Sequence, residues 1–107
     1  MEAMNGGDVG KMVERHGVKI ERNPSKSRLS DLGIQSWPKW GCPPGKFSLI
    51  FDAEETFYLV KGKVRANVKG SSEYVEFGAG DLVVIPKGMS CTWDVHASID
   101  KFYKFDY

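Results

Sequence analysis

Few side chains in this chain can do chemistry. There are two cysteines, Cys42 and Cys91, two histidines, His16 and His96, and a scatter of carboxylates. Glu55 stands apart among the carboxylates. On regular strands Leu49, Phe51, Glu55, Phe57 and Leu59 share one face, because side chains alternate with period two. A carboxyl group in apolar surroundings holds its proton to higher pH than in water, which suits acid or base work near neutrality. The competing reading is a structural carboxylate, bonded to a tyrosine or to backbone. Cys91 shares a face with Trp93 and Val95. As a nucleophile it needs a base or cation to hold the thiolate. His96 lies an odd number of residues away and faces oppositely on a regular strand, and a nearby carboxylate would disfavour the thiolate. The competing reading is an inert buried thiol.

The elements that must carry these groups are short strands punctuated by Gly and Pro. Val18 and Ile20 alternate with Lys19 and Glu21 as in a half-buried strand. Asn23-Pro24 supplies a helix start, with Asn as N-cap and Pro at the first position. A short helix over 25–32 follows, stopped at Gly33. Gly41-Cys42-Pro43-Pro44-Gly45 reads as a loop. Strands are expected over 47–51, over 56–68, a stretch long enough for two with a bend at Gly62, and over 73–77, reached by a hairpin turn at Lys69-Gly70-Ser71-Ser72. Leu82 to Ile85 is an apolar run suited to a strand covered on both faces, ended by Pro86, which cannot donate to a ladder. Strands over 91–95 and 101–107 close the chain. Many short strands with Gly/Pro turns indicate an all-β sandwich or barrel.

Two motifs narrow this. Gly80, Pro86, Gly88 and Cys91 fit the second signature of the cupin superfamily, with Cys91 where the family usually has histidine. Glu55 and Gly62 fit the end of the first signature, with 17 residues between Gly62 and Gly80. With Trp37-Pro38-Lys39-Trp40 and Cys91-Thr92-Trp93, the chain resembles the small single-domain cupins related to the (S)-ureidoglycine aminohydrolase family, over roughly residues 17–107. The resemblance implies a jelly-roll β-barrel with one short N-terminal helix. It also implies a metal held by two histidines, the glutamate and a third histidine. Only Glu55 matches. The paired histidines would fall on Leu49 and Phe51, or on Ser48 and Ile50, and the third on Cys91.

The expectation is therefore a pocket for a small molecule inside the barrel, lined by Leu49, Phe51, Phe57 and Trp93, with Glu55 and Cys91 as candidate catalytic groups and no resident metal or other cofactor. Trp37, Trp40, Tyr58 and Tyr103 are further aromatics able to stack on a flat guest, with Trp93 first among them. A metal-dependent enzyme acting through Glu55 and Cys91, and a non-catalytic domain that pairs as a homodimer through exposed sheet edges, are the alternatives. A Cys42–Cys91 disulfide would require the Pro-rich loop to fold over the barrel mouth.

Length and charge bound the partners. At 107 residues the chain makes one domain, divided here into a flexible tail over 1–16 and a cupin domain over 17–107. The net charge is +1 and the pI about 7.7, with no block of like charges. That argues against nucleic acid and against an anionic membrane surface. No apolar stretch spans a bilayer. The N-terminus lacks a signal-peptide core, and two cysteines suit a reducing compartment. The expected location is the cytoplasm, or a plastid if the chain is a processed form.

Overall fold

The computed structural model describes residues 10–106. Among these residues eight strands pair antiparallel: β1 (Lys11–Arg15), β2 (Val18–Arg22), β3 (Lys39–Cys42), β4 (Gly45–Ile50), β5 (Glu54–Val68), β6 (Tyr74–Gly78), β7 (Asp81–Ile85) and β8 (Ser90–Asp106). One helix, α1 (Lys26–Leu32), and a 3-10 turn (Ile34–Ser36) lie between β2 and β3. The strands run in the order β1-β2-β7-β5-β8-β3, with β4 beside β8 and β6 beside β5. This is the jelly-roll β-barrel with one short N-terminal helix that the resemblance implied.

Two long strands hold the barrel together. β8 pairs with β5 from Glu54↔Asp106 to Val68↔Cys91. On its other edge β5 carries β7 over its first half and β6 over its second. The change of neighbour requires a bend, and Gly62 makes it. Its φ is +116°, and a Cβ there would lie 2.8 Å from Ser98 O and 2.9 Å from Ile99 Cα. Register slips on both sides of Gly62 flip the inward parity. Glu55, Phe57 and Leu59 are buried before it, Val64 and Ala66 after it. Inside the barrel Trp93 meets Phe57, Phe77 and Phe51, with ring centroids 5.6, 5.5 and 6.3 Å away. Tilted contacts at these distances are favourable ring arrangements.

The structure corrects several boundaries. Residues 11–16, read as tail, form β1 and the turn into β2, in register from Lys11↔Arg22 to Arg15↔Val18; residues 1–9 of that tail lie outside the described residues. The helix cap is Ser25, not Asn23. Ser25 Oγ accepts from the Arg28 N–H at 3.2 Å, while Asn23 takes a left-handed φ of +50° and donates its N–H to Gly80 O. The Pro-rich loop shrinks to Pro43-Pro44, because the residues either side pair with β8. The last two expected strands are one, β8, whose middle is exposed at His96, Ala97 and Ser98. Among the described residues no helix is long and apolar enough to cross a membrane.

Candidate functional site

Lys101 is the residue that composes the site, and parity explains its position. In register, Leu59, Phe57 and Glu55 on β5 face Lys101, Tyr103 and Phe105 on β8. The two odd-numbered series share the inward face. Lys101 therefore starts opposite Leu59 and reaches back across Phe57. Its Nζ lies 4.3 Å from the Phe57 ring centroid and donates to Glu55 Oε2 at 2.5 Å. Both side chains are only 7% exposed. Rings complete the enclosure: the Nζ is 5.1 Å from Trp93, 5.2 Å from Trp40 and 5.7 Å from Tyr103. A cation this close to several ring faces gains quadrupole attraction, more so when desolvated. Burial still pushes the Lys101 ammonium below the ordinary lysine range, and the Glu55 carboxylate offsets part of that shift.

This pair borders a cavity of about 260 Å³. Trp40, Phe51, Trp93 and Tyr103 wall it, Leu49, Ile50 and Phe105 extend the apolar lining, and Asp52 adds a carboxylate. Trp40, Ile50 and Phe105 are exposed, so the apolar lining reaches solvent. The Trp93 indole N–H is buried and finds no hydrogen-bond partner among the described residues. The larger cleft, about 630 Å³ beside β1 and β2, is of another kind. Its central polar groups are paired with each other: Arg22 donates to Asp81 Oδ2 at 2.7 Å and to Glu76 O at 3.2 Å.

Of the residues expected at the site, Glu55, Leu49, Phe51 and Trp93 come together on this cavity. Phe57 does not line it. It is fully buried and supports Lys101 from beneath. Cys91 does not line it either, which corrects its pairing with Glu55. The thiol is 5% exposed within the core, in register with Leu49 and Val68. Burial raises its pKa, and the neighbouring Trp93 N–H, short of hydrogen-bond geometry, offsets part of the effect. Cys42 and Cys91 are free thiols, with no disulfide between them. Trp40 and Tyr103 reach the cavity, whereas Trp37 and Tyr58 do not. His96 is exposed, near Asp94, and His16 lies near Glu73 in the β1–β2 turn.

The raised pKa of Cys91 sets a sign. Above pH 9 the unfolded chain releases a proton that the folded chain keeps, so stability falls as pH rises through that point. Wild type should lose more of its urea midpoint than Cys91→Ala between about pH 8 and about pH 10. Equal losses would contradict a buried, neutral thiol.

A divalent metal, implied by the cupin resemblance, does not fit these residues. Leu49 and Phe51, or Ser48 and Ile50, stand where imidazoles would be needed, Glu55 is engaged by an ammonium, and the Cys91 thiol is held in the core. No group of three His, Cys, Asp or Glu side chains able to hold an ion occurs among the described residues. A cation already occupies the polar centre, and it is a lysine.

Comparisons with known proteins agree on the family. The model of the EutQ-like cupin domain matches residues 29–103. A solved DUF861 family protein from Thermotoga maritima is 34% identical, over 83% of this chain and 99% of its own, with a TM-score of 0.79. The EutQ protein of Clostridium difficile shares the fold at a TM-score of 0.55 and 15% identity, over 89% of this chain and 64% of its own. A DUF861 family protein from Pseudomonas syringae does so at 0.57 and 20%, over 83% and 31%. No curated protein matches. These matches support a small cupin and do not confirm the ureidoglycine aminohydrolase branch.

Proposed function

This chain belongs to the EutQ-like cupin family, and we propose that its barrel is a metal-free pocket for a small neutral molecule with a flat apolar body and one polar group. The observation that carries this reading is the buried Lys101–Glu55 pair bordering an otherwise aromatic cavity. Pockets of this composition bind through apolar contact and take orientation from a few polar groups. The pair is net neutral, and the nearby carboxylate of Asp52 is negative. An anionic guest would lose hydration without an unpaired cation to compensate. A carbonyl, amide or hydroxyl fits better. It can accept from the ammonium while Glu55 keeps its own bond.

Tryptophan fluorescence tests this directly, because Trp40 and Trp93 wall the cavity. Benzamide and benzyl alcohol should quench or shift the emission of the folded protein, and benzoate should do so at least about tenfold more weakly. Glu55→Gln should weaken benzamide by about tenfold, the loss of roughly one charge-assisted contact in the polar centre. Preferential binding of benzoate would reverse the polarity argument. Metal content supplies the opposite outcome. Near-stoichiometric manganese, iron, nickel or zinc in tag-free protein, lost in Glu55→Gln, would defeat the metal-free reading.

A further inference from the structure

Lys101 is a primary amine with a carboxylate at its Nζ, inside a pocket suited to a carbonyl group. We propose that Lys101 captures an aldehyde or ketone as an imine, with Glu55 moving the proton. This rests on the pocket reading above and gives the bound guest a class: small aryl or alkyl carbonyl compounds.

The geometry supplies each part. Among the described residues Lys101 is the one buried lysine, whereas Lys61, Lys63 and Lys87 are exposed. Its Nζ contacts Glu55 Oε2 and borders the same cavity as Trp40, Phe51 and Tyr103. An ammonium is not a nucleophile, so a base must first take a proton. Glu55 is placed to do so without rearrangement. Burial also disfavours the charged lysine, which eases that transfer.

The step balances. Lys101 Nζ gives a proton to the Glu55 carboxylate and becomes a neutral amine. Its lone pair forms a C–N bond to the carbonyl carbon, and the C=O π pair moves to oxygen. The oxygen gains the proton that nitrogen sheds, giving a neutral carbinolamine. The Glu55 carboxyl then protonates the hydroxyl, which leaves as water with its C–O pair as the nitrogen lone pair forms the C=N bond. Ammonium and carbonyl have become iminium and water, and Glu55 is again a carboxylate. The positive charge ends where it began, beside Glu55 and within reach of the rings of Phe57, Trp93, Trp40 and Tyr103. The groups that hold the resting ammonium thus also hold the product.

Reductive trapping tests the proposal. Folded protein is treated with benzaldehyde and cyanoborohydride, digested, and the benzyl adducts are mapped by mass spectrometry. Lys101 should be labelled at least about tenfold faster than any other lysine, and excess benzamide should suppress that label alone. Glu55→Gln, shown by circular dichroism to be folded, should slow labelling at Lys101 by about tenfold or more. Lys101→Arg keeps the charge but cannot form an imine, and should lose the site-specific label. Labelling confined to exposed lysines such as Lys61 and Lys87 overturns the imine. If benzamide still shifts the tryptophan emission in that case, the pocket reading stands without covalent capture. If it does not, both fail.

Discussion

Replacing Lys101 with methionine will destabilise the fold by about 3–5 kcal/mol, the range seen when one partner of a buried ion pair is removed. The cause is what remains. Glu55 is 5% exposed, and in Lys101→Met its carboxyl keeps neither its hydrogen-bond donor nor its counter-charge. It must then stay unpaired, draw in water, or take up a proton, and each costs free energy. The double variant Glu55→Leu/Lys101→Met removes both charges and should recover most of the loss, because an apolar replacement of a whole buried pair is often neutral or better. Denaturant unfolding of wild type, both single variants and the double variant measures the coupling. A Lys101→Met variant within about 1 kcal/mol of wild type would show that the pair is not the polar centre described here. The recovered double variant has a second use. It is a folded barrel without its polar pair, so loss of benzamide binding in it can be assigned to the site.

Gly62→Ala will cost about 2–5 kcal/mol, the sum of two independent penalties. A positive φ costs an L-residue about 1–2 kcal/mol. Overpacking against fixed neighbours adds about 1–3 kcal/mol. Here the neighbours are backbone atoms of β8, at 2.8 Å and 2.9 Å from the added Cβ, and they cannot rotate away as a side chain would. Gly70→Ala is the matched control. Its φ is +89° with nothing within 4 Å of an added Cβ, so it reports the backbone penalty alone. Equal midpoints for the two variants would mean that the approach of β8 at the bend is not tight. A larger loss at Gly62 gives the motif glycine a physical reason. It lets one strand cross from one sheet partner to the next while β8 passes against it.

Local chemistry made much of the fold legible. Period-two alternation placed Val18 and Ile20 inward, and the apolar run Leu82 to Ile85 marked a strand covered on both faces. Gly62 announced the bend and Pro86 the end of β7. Local chemistry misled where two signals competed. Asn23-Pro24 looks like a helix start, yet the cap oxygen belongs to Ser25 because Asn23 is used to turn the chain. Gly41 to Gly45 looks like an open loop, yet pairing with β8 extends strands into it from both sides. β1 gave no apolar period because it is an edge strand with little of its surface buried.

The sequence by itself determined an all-β barrel of the cupin type. It also determined the inward-facing sets Leu49, Phe51, Glu55, Phe57 and Leu59, and Cys91, Trp93 and Val95, and the absence of imidazoles from the positions where the family places them. These follow from alternation and motif spacing, both readable along the chain. Only the tertiary structure decided what Glu55 meets. Lys101 is 46 residues away, on a segment whose flanking Ile99 and Tyr103 show the right parity but not which strand it faces. Its partner depends on the register of β5 against β8, and on a side chain long enough to reach from opposite Leu59 across Phe57 to the carboxylate. The same register put Cys91 opposite Val68, in the core and outside the cavity lining. Register between distant strands depends on the bend at Gly62 and on packing inside the barrel, which no single stretch of the chain contains.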